Sequence, residues 1–143
     1  MYPDFKELLS ILNEHRVKYL VVGAYAVAIH AQPRATKDLD ILVKADADNA
    51  RRFLQFFRMG CAPVGVDVLT KIPGIEFDAA WQRRVEDVVD EKTGLKANFI
   101  SADDLIASKQ AAGRLQDLAD VDAVQKAQRL RPAKKKHPGS KQP

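Results

Sequence analysis

Three acids and one glycine carry the chemistry open to this sequence. Asp38 and Asp40 flank Leu39 in the run DLDILVK, which alternates and then turns apolar. A strand sends successive side chains to opposite faces, so both carboxylates leave one face while Leu39 enters the core. Two carboxylates that close repel unless a cation lies between them, and oxygen donors suit Mg²⁺ or Mn²⁺. Asp67 interrupts the strand-like run VGVDVLT, where a charge in apolar surroundings is costly without a partner. Upstream, Gly23-Ala24 stands where VKYLVV ends and AYAVAIHA begins. Glycine admits close backbone approach, and a helix start offers unpaired N–H groups to a phosphate. Three acids on neighbouring strands beside such a seat form the layout for two-metal phosphoryl or nucleotidyl transfer, with ions about 3.5–4 Å apart. Asp38 and Asp40 would hold both ions, and Asp67 would complete the one nearest the nucleophile. The competing use of the Asp38–Asp40 pair is ion pairing with Arg34 or Lys37.

The elements that must position these residues follow from hydrophobic patterning. Phe5, Leu8, Leu9 and Leu12 share one face of a helix that runs to about His15, with Asp4 and Glu7 as its capping signature. VKYLVV is continuously apolar and reads as a buried strand stopping at Gly23. The Ala-rich helix after it should break before Gln32-Pro33. A helix capped by Asp46 or Asp48 follows DLDILVK, then VGVDVLT, a turn at Lys71–Gly74, and a short helical stretch with Phe77 and Trp81. A hairpin turns at Glu91–Gly94. Ser101 with Asp104 caps a helix that Gly113 stops, and a last helix carries Leu118, Val121 and Val124. The order predicts an α/β (α+β) domain, a small mixed sheet flanked by helices with a C-terminal helix pair, over residues 1–130.

With VVGAYAV, RATKDLDILV and VDVLT in this order, the chain resembles the nucleotidyltransferase superfamily that includes polymerase-beta-like and minimal nucleotidyltransferases. SADDLIASKQAAGRLQDLADV is further similar to the Lys-x4-Arg-x2-Asp-x2-Asp helix pair of AbiEii-type toxins. The resemblance implies a Mg²⁺- or Mn²⁺-dependent transfer of a nucleoside monophosphate from an NTP, ATP among them, to a hydroxyl of RNA, protein or a small molecule. It also implies a toxin–antitoxin setting with a cognate antitoxin as partner. On the matching positions Asp38, Asp40 and Asp67 would be catalytic metal ligands, Gly23 and Ala24 would bind nucleotide, and Lys109 would meet its phosphates with Arg114 nearby. Arg34 and Thr36 would touch the triphosphate or else satisfy the turn after Pro33. Asp117 and Asp120 would brace the C-terminal helices, pairing with Arg114, or else approach the site. Two departures stand out. Ala24 has no hydroxyl, leaving only backbone donors, and the crossover from Lys44 to Pro63 is short. They support a second expectation, a catalytically degenerate binding or regulatory subunit.

Charge and composition bound the rest. The chain has 143 residues, enough for one domain, and its formal charge of +4 comes from the end of the sequence. Residues 129–143 hold six Lys or Arg and no acid, whereas residues 1–128 carry 17 basic against 19 acidic side chains. The segment 131–143 is expected to be a disordered basic tail, and a third reading makes it a nucleic-acid-binding arm. The single Cys61 leaves no internal disulfide or cysteine-type zinc site, and no apolar run is long enough to span a membrane, so a cytoplasmic location is expected. His30 is expected to be a helix-end residue and Trp81 to belong to core or interface.

Overall fold

A segment that is apolar at every position has no face to give to water, which places it between other strands and under helices on both sides. In the computed structural model, which describes residues 1–33, 35–58 and 65–131, Tyr19–Val22 is strand β1 and all four residues are buried. Around it lie α1 (Pro3–Glu14), α2 (Gly23–His30), β2 (Leu39–Val43), α3 (Ala47–Arg58), β3 (Val66–Leu69), α4 (Phe77–Gln82), β4 (Val85–Asp90), β5 (Leu95–Phe99), α5 (Ala102–Ala112) and α6 (Leu115–Leu130). The five strands form one mixed sheet in the order β3-β2-β1-β5-β4. β1 runs antiparallel to β2 and parallel to β5, β2 parallel to β3, and β4 antiparallel to β5. The seam between β1 and β5 is narrow: Val21 is level with Phe99, and the Ile100 N–H donates to the Val21 carbonyl at 3.1 Å.

Most of the element order expected from the pattern is present, with two local differences, at the start of α1 and at β3. Asp4 does not cap α1; the helix starts at Pro3, whose missing N–H costs nothing in a first turn, and its N-cap residue Tyr2 makes no side-chain cap. Between the two acids offered for α3, Asp46 makes a capping bond, Oδ1 accepting the Asn49 N–H at 2.7 Å. β3 is an edge strand with Asp67 and Val68 exposed, so the expected burial around Asp67 is absent. Ser101 caps α5 as expected, its Oγ accepting the Asp104 N–H at 3.1 Å, and Gly113 ends that helix in the left-handed region. The basic tail beyond Arg131, the end of the crossover at 59–64 and Arg34 lie outside the described residues. Among the described residues no helix is long and apolar enough to cross a membrane.

The core joins Leu8, Leu9 and Leu12 of α1 to Leu20, Ile41, Leu42 and Phe99 of the sheet. Two buried polar residues fasten its lower end. Tyr19 donates its hydroxyl to Asn13 Oδ1 at 2.9 Å and accepts the Asn98 N–H at 3.3 Å, and burial pushes that hydroxyl up to about 12. Asn49, 3% exposed, accepts the Lys18 N–H at 2.7 Å and donates to the carbonyls of Lys18 and Lys44 at 3.0 and 2.9 Å. One amide thus satisfies backbone groups where β1 begins and β2 ends, and it does so as donor and acceptor together. Replacing it with alanine is expected to cost about 3 kcal/mol in urea unfolding, because buried backbone groups lose their partners. Asn49→Asp keeps the acceptor but loses both donors, so it is expected to restore little of that stability.

Candidate active site

The site grows from the junction of β1 and α2. Val22 is the last strand residue and N-cap of α2, and Gly23 turns the chain with φ +68°. A side chain there is excluded by space as well as by conformation. A Cβ on Gly23 would lie 2.1 Å from Asp40 Oδ2 and 3.0 Å from its Cγ. Glycine therefore lets the Asp40 carboxylate sit directly on the mouth of α2, whose first turn has no side-chain cap. Its leading N–H groups, those of Gly23 and Ala24 among them, are the backbone donors that an anion would meet.

Strand register brings the acids together. Asp40 is level with Val22 on one side and with Asp67 on the other, and residues level in neighbouring strands emerge on the same face. Asp38 lies two positions ahead of Asp40, just before β2, while Leu39 between them is fully buried. Thr36 holds this approach: its Oγ1 donates to the Asp38 carbonyl at 3.2 Å and accepts the Asp38 N–H at 3.4 Å. Thr36 thus satisfies the local turn. Burial, then a hydrogen bond with Asp67 and the charges of Asp67 and Asp38, push the Asp40 carboxyl above its usual range, against the pull of the Lys109 ammonium. Among the described residues none of these three acids is tied up in an ion pair with lysine or arginine; the partnership with Lys37 is not formed.

Helices α5 and α6 supply the opposite wall. Arg83, just past α4, grips Asp104 with Nε and Nη2 at 3.0 and 2.8 Å, which fixes the start of α5. Further along that helix, Lys109 reaches Asp117 Oδ1 at 3.3 Å and Asp120 Oδ2 at 2.8 Å, the latter close in distance without the alignment of a hydrogen bond. Arg114 completes the cluster, its Nε donating to Asp117 Oδ2 at 2.7 Å while the Asp117 carboxylate caps α6 by accepting the Arg114 N–H. Asp117 is 2% exposed, and the Arg114 guanidinium first, with Lys109 behind it, holds its carboxyl below the usual range. A cavity of about 160 Å³ lies between the two walls, lined by Gly23, Asp40, Ser108, Lys109, Arg114 and Asp117 among others. That is below the few hundred cubic ångströms of a whole small-molecule site. Roomier cavities of about 420 and 710 Å³ lie away from Asp38, Asp40 and Asp67.

Residues 4–131 match the family described as nucleotidyltransferase of unknown function (DUF6036). The chain belongs to that family. Its fold is similar to the crystal structure of an antigenic nucleotidyltransferase-like protein from Paracoccidioides brasiliensis, with a TM-score of 0.52 and 16% identity over 85% of this chain and 75% of the other. No curated protein matches the sequence.

Within this nucleotidyltransferase family member, the donor set is all oxygen, as a hard divalent cation requires. Asp40 and Asp67 are the opposed pair, and burial together with the neighbouring Asp67 disfavours the charged form of Asp40, which is the condition a cation relieves. Asp38 is the exposed third acid, and among the described residues no three ligands are gathered into a ready-made cation cage. His30 is structural: its buried ring Nε2 bonds the Ile100 carbonyl at 2.7 Å. Ser108 in the cavity wall and Asn49 beneath the sheet were not singled out by spacing, because a lone serine or asparagine carries no periodic signal.

Gly23→Ala is expected to destabilise the protein by about 1–3 kcal/mol in urea unfolding, from the left-handed backbone and the collision with Asp40. Adding Asp40→Ala should recover the steric share and leave the backbone share. Acidification tests the α5–α6 cluster. With its folded pKa lowered, Asp117 contributes stability that is present above its unfolded value of 3.8 and is lost as pH falls through the lower folded value. Asp117→Asn should therefore flatten the fall of stability below about pH 4.

Proposed function

We propose that the protein is a nucleotidyltransferase that moves a nucleoside monophosphate from an NTP to a hydroxyl acceptor and releases pyrophosphate. The observation that carries this reading is the level placement of Asp40 and Asp67 on parallel strands, against a glycine-opened helix start. Asp38, Asp40 and Asp67 would hold Mg²⁺ or Mn²⁺, which supplies charge neutralisation at the phosphates and a more acidic acceptor hydroxyl. The remaining work falls to the chain. The α2 N–H groups orient the phosphates, and Lys109 lends positive charge from the opposite wall. Asp67, exposed on the edge strand, would receive the acceptor proton. The acceptor oxygen bonds to the α-phosphorus, the bond to the bridging oxygen breaks, and pyrophosphate departs. RNA, a protein side chain and a small molecule all offer such an oxygen, and a toxin held by an antitoxin is one setting for it.

A second reading, a non-catalytic binding subunit, has its own support: Lys109 is only 15% exposed and engaged by two buried carboxylates, and Ala24 brings no hydroxyl. Incubation with each labelled NTP, Mg²⁺ or Mn²⁺, and RNA or protein acceptors separates the two. Transfer is expected, with Asp40→Ala reducing it by more than about a hundredfold while the fold persists. Nucleotide binding by calorimetry without transfer to any acceptor would favour the binding subunit.

A further inference from the structure

Residues 1–128 hold more acids than bases, so a knot of unpaired cations in that body calls for a local reason. Many cations elsewhere are paired, Lys44 with Asp78, Arg83 with Asp104 and Lys126 with Asp122, and those that are not, Lys37, Lys71 and Lys92 among the described residues, do not line this cavity. At the end of β1 remote from Gly23 the pattern changes. Arg16 and Lys18 between α1 and β1, Arg52 of α3, Arg84 ahead of β4 and Lys96 of β5 line a cavity of about 420 Å³. Its lining contains a single acid, Glu86, 3.7 Å from Arg84. Among the described residues Arg16, Lys18, Arg52 and Lys96 make no ion pair with a carboxylate. Converging like charges work against the compact state until an anion offsets them.

Several of these cations are fixed in place. The Arg84 guanidinium lies 3.9 Å from the centre of the Trp81 ring, donates to the Trp81 carbonyl at 3.0 Å and reaches Asn98 Oδ1 at 3.4 Å. Lys18 Nζ is 5.9 Å from the same ring, and Phe77 stacks on it at 5.9 Å. Trp81 is thus engaged as a holder of cations and leaves no open platform for a base. Arg16 has φ +56°, a left-handed backbone uncommon for a residue with a side chain, and its carbonyl accepts from Arg52 Nη1 at 3.4 Å. Conformations of that kind persist where surrounding contacts over-determine them, and they gather at binding sites.

We propose that this cavity is a second anion site, which holds a ligand through several phosphates and without reading a base. The shared chemistry is a phosphate chain, supplied by a nucleic-acid strand or by a free polyphosphate. Three arginines present planar forks matched to phosphate oxygens, and five cations on separate elements exceed the charge of one phosphate group. Lys18 precedes β1 and Gly23 follows it, so this cavity and the carboxylate site are separated by about 16 Å of strand. The proposal stands whether or not nucleotidyl transfer does.

The experiment is a titration of the full chain with fluorescent oligo-rA and oligo-rU hexamers, tripolyphosphate and polyglutamate serving as competitors. Both hexamers should bind alike, within about threefold, and a fourfold rise in salt should weaken binding by about ten- to a hundredfold. Arg52→Glu with Lys96→Glu should lose at least tenfold, and the milder Arg52→Gln with Lys96→Gln should lose less. Both should match or exceed the parent in thermal unfolding, since repulsion is removed. A full-length chain with Lys134, Lys135 and Lys136 changed to Gln should keep the binding. Competition by tripolyphosphate identifies a free polyphosphate as sufficient, whereas its failure leaves the nucleic-acid strand as the source. Binding that survives the charge reversals, that disappears with the tail substitutions, or that polyglutamate displaces as well as a hexamer does would overturn the proposal.

Discussion

Two carboxylates held side by side resist being charged together, and the site is organised around that resistance. Asp40 cannot move away from Asp67, because the β2–β3 register fixes their level and Gly23 receives its carboxylate on the other side. The same aspartate is level with Val22, so one residue ties the register of β1 with β2 to that of β2 with β3. Burial of the intervening Leu39 locks the alternation: a slip of one position would put both acids inward and Leu39 into water. The electrostatic tension at the site is thus maintained by the apolar core beneath it.

Much of this was legible because it depends on local pattern. Alternation across Asp38-Leu39-Asp40 states which way each side chain faces, and an apolar run ending at glycine before an Ala-rich stretch marks a strand-to-helix turn. Ser101 and Gly113 announced the ends of α5 by residue type alone. The errors came where tertiary position decides. VGVDVLT has the composition of an inner strand, yet β3 lies at the sheet edge, and nothing within that run reveals which strands will flank it. Asp4 looked like a cap, but Pro3 can open a helix without one. Asn49 was invisible for a related reason. Its value lies in backbone groups 31 and 5 residues away, a relation set by how β1 and β2 end together.

The helix pair shows how buried charge can serve placement. Asp117 and Asp120 are almost fully enclosed, a costly position for acids, and Lys109 and Arg114 offset that cost from two directions. The arrangement keeps a positively charged side chain at the cavity wall in one orientation, at the expense of its reach. Arg83 on Asp104 does the equivalent task for the helix as a whole.

The sheet is mechanically uneven. The three acids ride on β2, β3 and the turn before them, whereas Lys109 follows β5 through α5. Between the two groups lies the seam where Val21 is level with Phe99. The spacing between Asp40 and Asp67 is braced by its own ladder, whereas Lys109 is held by the ion pairs of the helix pair. The two walls of the cleft therefore rest on different strands, and they are joined through that one pairing and through the packing of α5 and α6 on α2.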